Sequence, residues 1–345
     1  MNLLAQDRKI TMNDIAQRLG ISKNAVSLAL GGKSGVSDPL RRKVIETARQ
    51  MGYCGRIPQN ENGCIVALVP EYIHNDAYFY SDIFWAVEQQ TRSIGHTFST
   101  ISISRQDEAD LVLPQFPQGM EILGVLCIGV LSQPFLKKLI KTGVRLMSVD
   151  IAYNNLPISS ITSANLAGGY QATEYLIQRG HREIGFVGPI RIAQSVYERW
   201  CGFQQAMAAH HLPIYSDYNI LGDFEHFQLL DMPDVLLPYF NKIKKLPTAW
   251  FCAGDRIALS MLSILSGNGM TVPRDISIIG YDNLDFGKLS VPPLTTIAVD
   301  RKAMGRIAVQ LLAGDQPFSD EESGEYVVSL ANQLVERASV KNLNA

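Results

Sequence analysis

Residues 10–53 read ITMNDIAQRLGISKNAVSLALGGKSGVSDPLRRKVIETARQMGY, and their apolar spacing predicts three short helices with a tight turn between the first two. Met12, Ile15, Ala16 and Leu19 fall at i, i+3, i+4 and i+7, one face of a helix. Thr11 stands ahead of Asn13-Asp14 as an N-cap, and Gly20 permits the left-handed turn that ends the helix. Ser22 can cap a second helix through Leu30, with Val26, Ala29 and Leu30 on its inner face and Gly31-Gly32 closing it. Ser37 followed by Asp38-Pro39 opens a third helix, with Pro39 in its first turn, running to Met51 before Gly52. Two helices around a tight turn, with a third packed behind, is the plan of a helix-turn-helix reader of DNA.

The second helix is the expected recognition helix. Its N-terminal Lys23 and Asn24 would face base edges in the major groove, where lysine donates to guanine and asparagine pairs with adenine. Ser22, Ser27 and the basic run Arg41-Arg42-Lys43 would hold phosphates and set register. A solvated surface lysine is the alternative for Lys23 taken alone; its neighbours favour the DNA reading. Charge points the same way. Residues 1–60 hold ten Lys and Arg against four Asp and Glu, a net of +6, so the remainder of a chain of net charge −2 carries −8. A basic head on an acidic body suits a head that meets phosphate while the body stays off it.

Other classes fit poorly. A chain of 345 residues is long enough for two or three domains, and 46% hydrophobic with 19% charged residues are globular values. No apolar run reaches the length of a membrane span, and the first residues lack a secretory pattern. The five cysteines (Cys54, Cys64, Cys127, Cys201, Cys252) are scattered without a CxxC pair, as expected of thiols in a reducing cytoplasm. GGKSG at 31–35 imitates part of a phosphate loop, but the glycine required four residues before the second one is Ser27. No HExxH or GxSxG occurs, and the six histidines form no metal-like pattern, so no enzyme, metal or cofactor is expected.

From residue 65 onward, apolar runs alternate with helical patterns. IVALV (65–69), TFSTISI (97–103), GVLCI (124–128) and RLMSV (145–149) form a first series of strands. ISSIT (158–162), EIGFV (183–187), YNILG (218–222), AWFCA (249–253) and SIIGY (277–281) form a second. Alternation of this kind predicts an α/β fold with two doubly wound parallel-sheet subdomains behind the helix-turn-helix headpiece. Ligands of such sheets bind outside the carboxyl ends of the strands.

Residues 10–53 closely resemble the headpiece of the lactose/galactose repressor (LacI/GalR) family. The matching residues are Ile10-Thr11, Asp14-Ile15-Ala16, Gly20-Ile21-Ser22, Ala25-Val26-Ser27, Val36-Ser37, Arg42, Val44 and Gly52-Tyr53. The resemblance continues through NLAGGYQATEYLIQRGHREIGFVG (165–188), PTAWFCAGDRIAL (247–259), VPRDISIIGYDN (272–283), PPLTTI (292–297) and MGRIAVQLL (304–312). It implies a type I periplasmic-binding-protein-like body and a cytoplasmic, nucleoid-associated transcriptional regulator, most simply a repressor. It further implies a homodimer on a double-stranded operator, with Thr11, Ser22, Lys23, Asn24, Ala25, Ser27, Leu28 and Arg42 at the DNA.

The family usually has arginine where this chain has Leu28, so an arginine contact to guanine is absent there, and an apolar contact to a thymine methyl is one replacement open to it. The link CGRIPQNENGC (54–64) lacks the family's Ala- and Leu-rich hinge helix and reads as a flexible, shortened linker. The expected domains are the headpiece at 1–53, the linker at 54–64, and a first subdomain at 65–162 and 296–324. A second subdomain follows at 163–295 and 325–339, with a tail at 340–345. The chain would cross between subdomains near 163, 295 and 325, and EYVVSL (325–330) would return to the second.

The expected small-molecule effector is a sugar or sugar derivative. Polyol recognition needs acceptors, a planar donor and an aromatic face. Asp150 and Asp282 end strands, Arg199 and Ser195 begin a helix after a strand, Tyr78 and Phe79 begin the first helix of the body, and Phe224 follows a strand end. All seven fall on positions the family uses for its effector. The aspartates could instead cap loops, Arg199 could be a structural ion pair, and the aromatics could be core. Asp255 reads as the N-cap of the helix that follows it. A cytoplasmic sugar-binding module without a transcriptional role is the alternative function.

Overall fold

Helix α1 (Met12–Leu19) begins where the Asp14 carboxylate accepts the Thr11 N–H at 2.8 Å and the Thr11 hydroxyl at 2.6 Å, one half of a capping box. It ends at Gly20, whose φ of 66° lets its N–H turn back to the Ala16 and Gln17 carbonyls. Ser22 then caps α2 (Lys23–Leu30) by accepting the Ala25 N–H at 3.1 Å. After α3 (Asp38–Gln50), the inner faces of the three helices close over Ile15, Val26, Ala29, Leu30, Val44, Ile45 and Ala48. The computed structural model describes residues 10–31, 33, 35–51, 53, 63–75, 78–222, 233–313 and 325–344. Linker residues 54–62 lie outside it, and with them the reading of a missing hinge helix.

The headpiece and the two-sheet body are separate compact units. The first half of the body runs β1 (Gly63–Pro70), α4 (Tyr80–Ser93), β2 (Thr97–Ile103), α5 (Arg105–Ala109), β3 (Glu121–Ile128), α6 (Gln133–Ile140), β4 (Leu146–Val149) and β5 (Ser159–Ser163). The second half runs α7 (Asn165–Gln178), β6 (Ile184–Val187), α8 (Gln194–Ala209), α9 (Pro233–Phe240), β7 (Ala249–Cys252), α10 (Asp255–Gly267), β8 (Ser277–Asp282), α11 (Asp285–Leu289) and β9 (Thr295–Ala298). The chain closes with α12 (Arg301–Ala313), β10 (Val327–Leu330) and β11 (Gln333–Val335).

The first sheet has the order β10-β5-β4-β3-β1-β2 and the second β11-β9-β8-β7-β6. In the first, consecutive strands reverse direction of progress between β1 and β3, the switch point where a crevice opens at the strand ends. Strands β6 to β9 pair in parallel, and β11 adds antiparallel to β9. One face of the first sheet buries Val66, Leu68, Val125 and Cys127 against Phe135 and Leu136 of α6. In the second, Phe186 packs edge-on against Trp200 and Phe251, with ring centroids 5.2 Å apart in both pairs.

Three readings need correction. ISSIT, grouped above with the second series, is β5 of the first sheet. YNILG is not a full strand: it gives a 3-10 turn at Ser216–Tyr218 and a single bridge from Ile220 to Val187. The Asn219 side chain takes the Phe186 N–H at 2.8 Å, a bond a longer ladder would have made through backbone. EYVVSL does not return to the second sheet, because β10 pairs in parallel with β5, Val327 opposite Ser160 and Leu330 opposite Ser163. Conversely, β9 belongs to the second sheet, Thr295 lying opposite Ile279. The chain therefore crosses between sheets after Ser163, between Ala298 and Arg301, and between Leu330 and Gln333, a few residues later than expected at the last two.

Candidate functional site

In the headpiece, Ser22, Lys23, Asn24 and Ser27 are exposed, with Ala25 and Leu28 half-buried. All six lie along α2 or its cap. Thr11 is exposed too, but its hydroxyl is bonded to Asp14 in the cap of α1. The side chain of Arg42 lies outside the described residues. Arg41 departs from the phosphate role expected of the basic run. Its Nη1 donates to the Leu28 and Ala29 carbonyls at 3.2 Å each, and its Nη2 donates to the Lys33 carbonyl at 2.6 Å. The last carbonyls of a helix lack intrahelical donors and attract a cation, so Arg41 ties the end of α2 to α3.

A measurable difference follows. Arg41→Gln should loosen α2 by about 1–3 kcal/mol, seen as faster amide exchange over 23–30. The slope of log K against log salt on random duplex DNA should stay at the wild-type value, whereas Lys43→Ala, which removes an exposed cation, should lower it by about 0.9. A slope loss for Arg41→Gln equal to that of Lys43→Ala would restore Arg41 as a phosphate ligand.

In the body, Arg199 is a buried cation with several partners. It lies in the second turn of α8, one turn after buried Ser195 and on the same helical face. Its Nε donates to the Asn165 side-chain oxygen at 3.0 Å, and its Nη1 donates to the Ala253 carbonyl at 2.5 Å. Nη1 also lies 3.3 Å from the Asp282 carboxylate, and the guanidinium carbon stands 3.7 Å from the centroid of the Tyr281 ring. A buried cation needs these partners, because its desolvation is uncompensated otherwise. Helices α7 and α8 meet closely enough to place it because Gly169 and Gly202 face each other. A Cβ on Gly202 would stand 2.6 Å from the Tyr170 nitrogen.

Asp150 and Asp282 follow or end β4 and β8, and both have positive φ, 76° and 104°. Left-handed backbone is rare for a residue with a Cβ and gathers at binding sites. Here it turns each carboxylate off its strand end. Tyr80, which the sequence reading passed over, donates its hydroxyl to Asp150 at 3.1 Å. Helix α4 starts at Tyr80, so Tyr78 and Phe79 form the turn before it rather than its first residues. Exposed Tyr78 meets Phe286 of α11 edge-on, centroids 4.3 Å apart. Phe79 is buried against Tyr80 and beneath the Arg301 guanidinium, 5.6 Å from its ring. Phe224 lies outside the described residues.

Arg301 was also missed. It donates to the Asp82 carboxylate from Nε at 3.2 Å and Nη2 at 3.0 Å, and from Nη1 to the Asp282 carbonyl at 2.5 Å. It thus joins α4 of the first sheet to the end of β8 in the second. An arginine three residues after an apolar strand, opening a helix, was the only signal in the sequence.

Asp255 is not an N-cap: that place is taken by Gly254. Its fully buried carboxylate instead accepts the Leu284 N–H at 2.7 Å and the Thr296 hydroxyl at 2.6 Å, pinning the ends of β8 and β9. Burial, and next the charge of Asp282, push its pKa up to about 8 against the lowering effect of those two bonds. An unfolded aspartate titrates near about 4. Between these values the folded chain holds a proton that the unfolded chain has released, so this group's contribution to stability falls as pH rises through the window. Asp255→Asn should flatten the dependence of the unfolding midpoint on pH between about 4 and 8. An unaltered slope would remove Asp255 as its source.

Residues 11–55 match the family described as bacterial regulatory proteins, lacI family, and residues 173–340 match the periplasmic binding protein-like domain. The HTH-type transcriptional repressor CytR of Escherichia coli (strain K12) is 30% identical over 364 residues, covering 99% of this chain and 100% of that protein. The HTH-type transcriptional repressor PurR of Actinobacillus pleuropneumoniae serotype 3 (strain JL03) is 28% identical over 344 residues, covering 97% and 99%. Among solved structures, the lac repressor dimer bound to operator and the anti-inducer ONPF has a TM-score of 0.65 at 22% identity, covering 97% of this chain and 100% of that one. The transcriptional regulator CelR–cellobiose complex has a TM-score of 0.68 at 23% identity, covering 96% and 100%. The chain belongs to the LacI family of bacterial regulatory proteins. It is an allosteric DNA-binding transcriptional regulator and not an enzyme. Among the described residues, no helix is long and apolar enough to cross a membrane.

Proposed function

We propose that this chain is a cytoplasmic, homodimeric repressor whose operator affinity is set by a small carbohydrate-type effector held between the two sheets. The effector would sit among Asp150, Ser195, Arg199 and Asp282, with Tyr78, Phe79 and Phe224 supplying apolar faces. The observation that carries this reading is the joining of Arg199 to Asp282 beside strand ends of left-handed backbone. It combines a planar donor with a fixed carboxylate, the pair that hydroxyl-rich ligands require. The cellobiose complex of CelR, a neighbour in fold, supports that ligand class. Operator DNA would be read by Lys23, Asn24 and Leu28, with Thr11, Ser22, Ala25, Ser27 and Arg42 placing the helix on the backbone.

The test is selection of duplexes from a random pool by the full-length protein, followed by gel shift at several salt concentrations. A selected palindromic site is expected, as two-fold protein symmetry demands. Lys23→Ala and Asn24→Ala should each relax one base position by about 1–3 kcal/mol. Failure to enrich any sequence would leave the sugar-binding module without a transcriptional role as the better reading.

A further inference from the structure

Arg199 is connected to the crossovers between the sheets through one buried side chain, Tyr281 of β8. The Tyr281 hydroxyl accepts a hydrogen bond from the Asn332 amide nitrogen at 2.7 Å and lies 3.4 Å from the Ser163 hydroxyl. Ser163 in turn donates to the Asn332 side-chain oxygen Oδ1 at 2.6 Å. The Asn332 amide also donates to the Ala164 carbonyl at 2.9 Å, while the Ala164 N–H donates to the Leu330 carbonyl at 2.8 Å. Ser163 and Ala164 form the first crossover, and Asn332 lies in the third. The side chain of Asn332 therefore binds both crossovers and the ring on which Arg199 rests. Gly168 leaves room for this cluster: a Cβ there would stand 2.6 Å from the Asn332 nitrogen.

We propose that Tyr281 and Asn332 are positioning residues that make the placement of Arg199 depend on the path of the crossovers. The proposal rests on Arg199 lining the effector cleft. Any shear of one sheet past the other must stretch a bond from Asn332 or tilt the Tyr281 ring. Tyr281 is fully buried and Asn332 is half-buried with both ends of its amide bonded, so the cluster favours discrete arrangements over gradual deformation. A ligand that fixes the guanidinium then biases the crossovers, and by linkage the crossovers bias the guanidinium equally. Residues 199 and 332 are joined through Tyr281 and also along Ala164-Asn165, where Asn332 donates to the Ala164 carbonyl and Arg199 to the Asn165 side chain, so packed physical contacts, and not mere proximity, carry the coupling.

Amide exchange on the full-length protein, read by mass spectrometry without ligand or DNA, tests this. The variants are Arg199→Lys, Asn332→Asp and their combination, with Tyr281→Phe removing the connecting hydroxyl. Asn332→Asp keeps the side-chain shape and removes the amide donor. Arg199→Lys should raise exchange over 327–332, at the far end of the cluster from its own bond to Asn165, by about fivefold. Asn332→Asp should raise it over 194–200 by a similar factor, an effect a residue that merely braced a crossover would not produce. The double variant should add nothing beyond the larger single effect in either segment. Tyr281→Phe should raise both segments. Additive effects, or effects confined to the mutated end, would overturn the proposal. So would a uniform rise across β6, β7 and β8 with a lower unfolding midpoint, since that is general loosening. Because no ligand is used, an absent sugar response would count against the effector reading and leave this result standing.

Discussion

Arg199→Ala should lower the stability of the two-sheet unit by about 3–5 kcal/mol, the range for breaking a buried ion pair from one side. Four groups lose a contact together: the Asn165 amide oxygen, the Ala253 carbonyl, the Asp282 carboxylate and the Tyr281 ring face. The loss of a donor from buried acceptors dominates, because the Asp282 carboxylate, its side chain only 15% exposed, loses the cation 3.3 Å away. In thermal denaturation this corresponds to roughly 10 °C for a unit of this size. Arg199→Lys, which keeps the charge but not the planar fork, should recover part of it. A fall below about 1 kcal/mol would mean that these contacts contribute little and that water replaces the guanidinium readily.

Gly202→Ala should be at least as damaging. Its Cβ would meet the Leu166 carbonyl and stand 2.6 Å from the Tyr170 nitrogen, both backbone atoms that cannot swing aside. Gly169 on α7 faces the backbone of Arg199 in the same way. Relief requires α7 and α8 to separate, opening the packing of Phe203 and Trp200 beneath. Overpacking of this kind costs about 3 kcal/mol or more when backbone must shift. The measurement is the midpoint of urea unfolding at an unchanged denaturant dependence. Gly267→Ala, at a helical position with open space around it, is the control and should be neutral or slightly stabilising. Equal effects at 202 and 267 would show that the close approach is dispensable.

What could be read directly from the chain was whatever local chemistry decides. Gly20 and Ser22 specify their turn and cap within four residues, and the structure places both as expected. TFSTISI forms a strand with the bounds its own pattern suggested. Pairing between distant segments was not legible in the same way. Nothing in EYVVSL distinguishes an edge beside β5 from one beside β9, because both neighbours offer an open parallel or antiparallel ladder. The polar residues divide likewise. Strand ends gave away Asp150 and Asp282, and helix position gave away Arg199. The partners of Arg41, Asp255 and Arg301 lie 8 to 219 residues away in sequence, so their spacing alone suggested a phosphate contact, a cap and nothing. Burial separates these cases, and burial is a property of the finished fold.

The anchoring of α2 by Arg41 has a consequence for how such a reader can be retargeted. Every atom it grips belongs to backbone: the carbonyls of Leu28, Ala29 and Lys33. The identity of the side chain at position 28 does not enter that grip. Lys23 and Asn24 project from the other end of the helix, where Ser22 also holds backbone, the Ala25 N–H. Both fastenings are therefore blind to the residues that would meet base edges. Substitution at 23, 24 or 28 can rewrite the preferred sequence while the helix keeps its seat. An arginine restored at Leu28, or another apolar residue tried there, exchanges one vocabulary of base contacts for another on an unaltered mount.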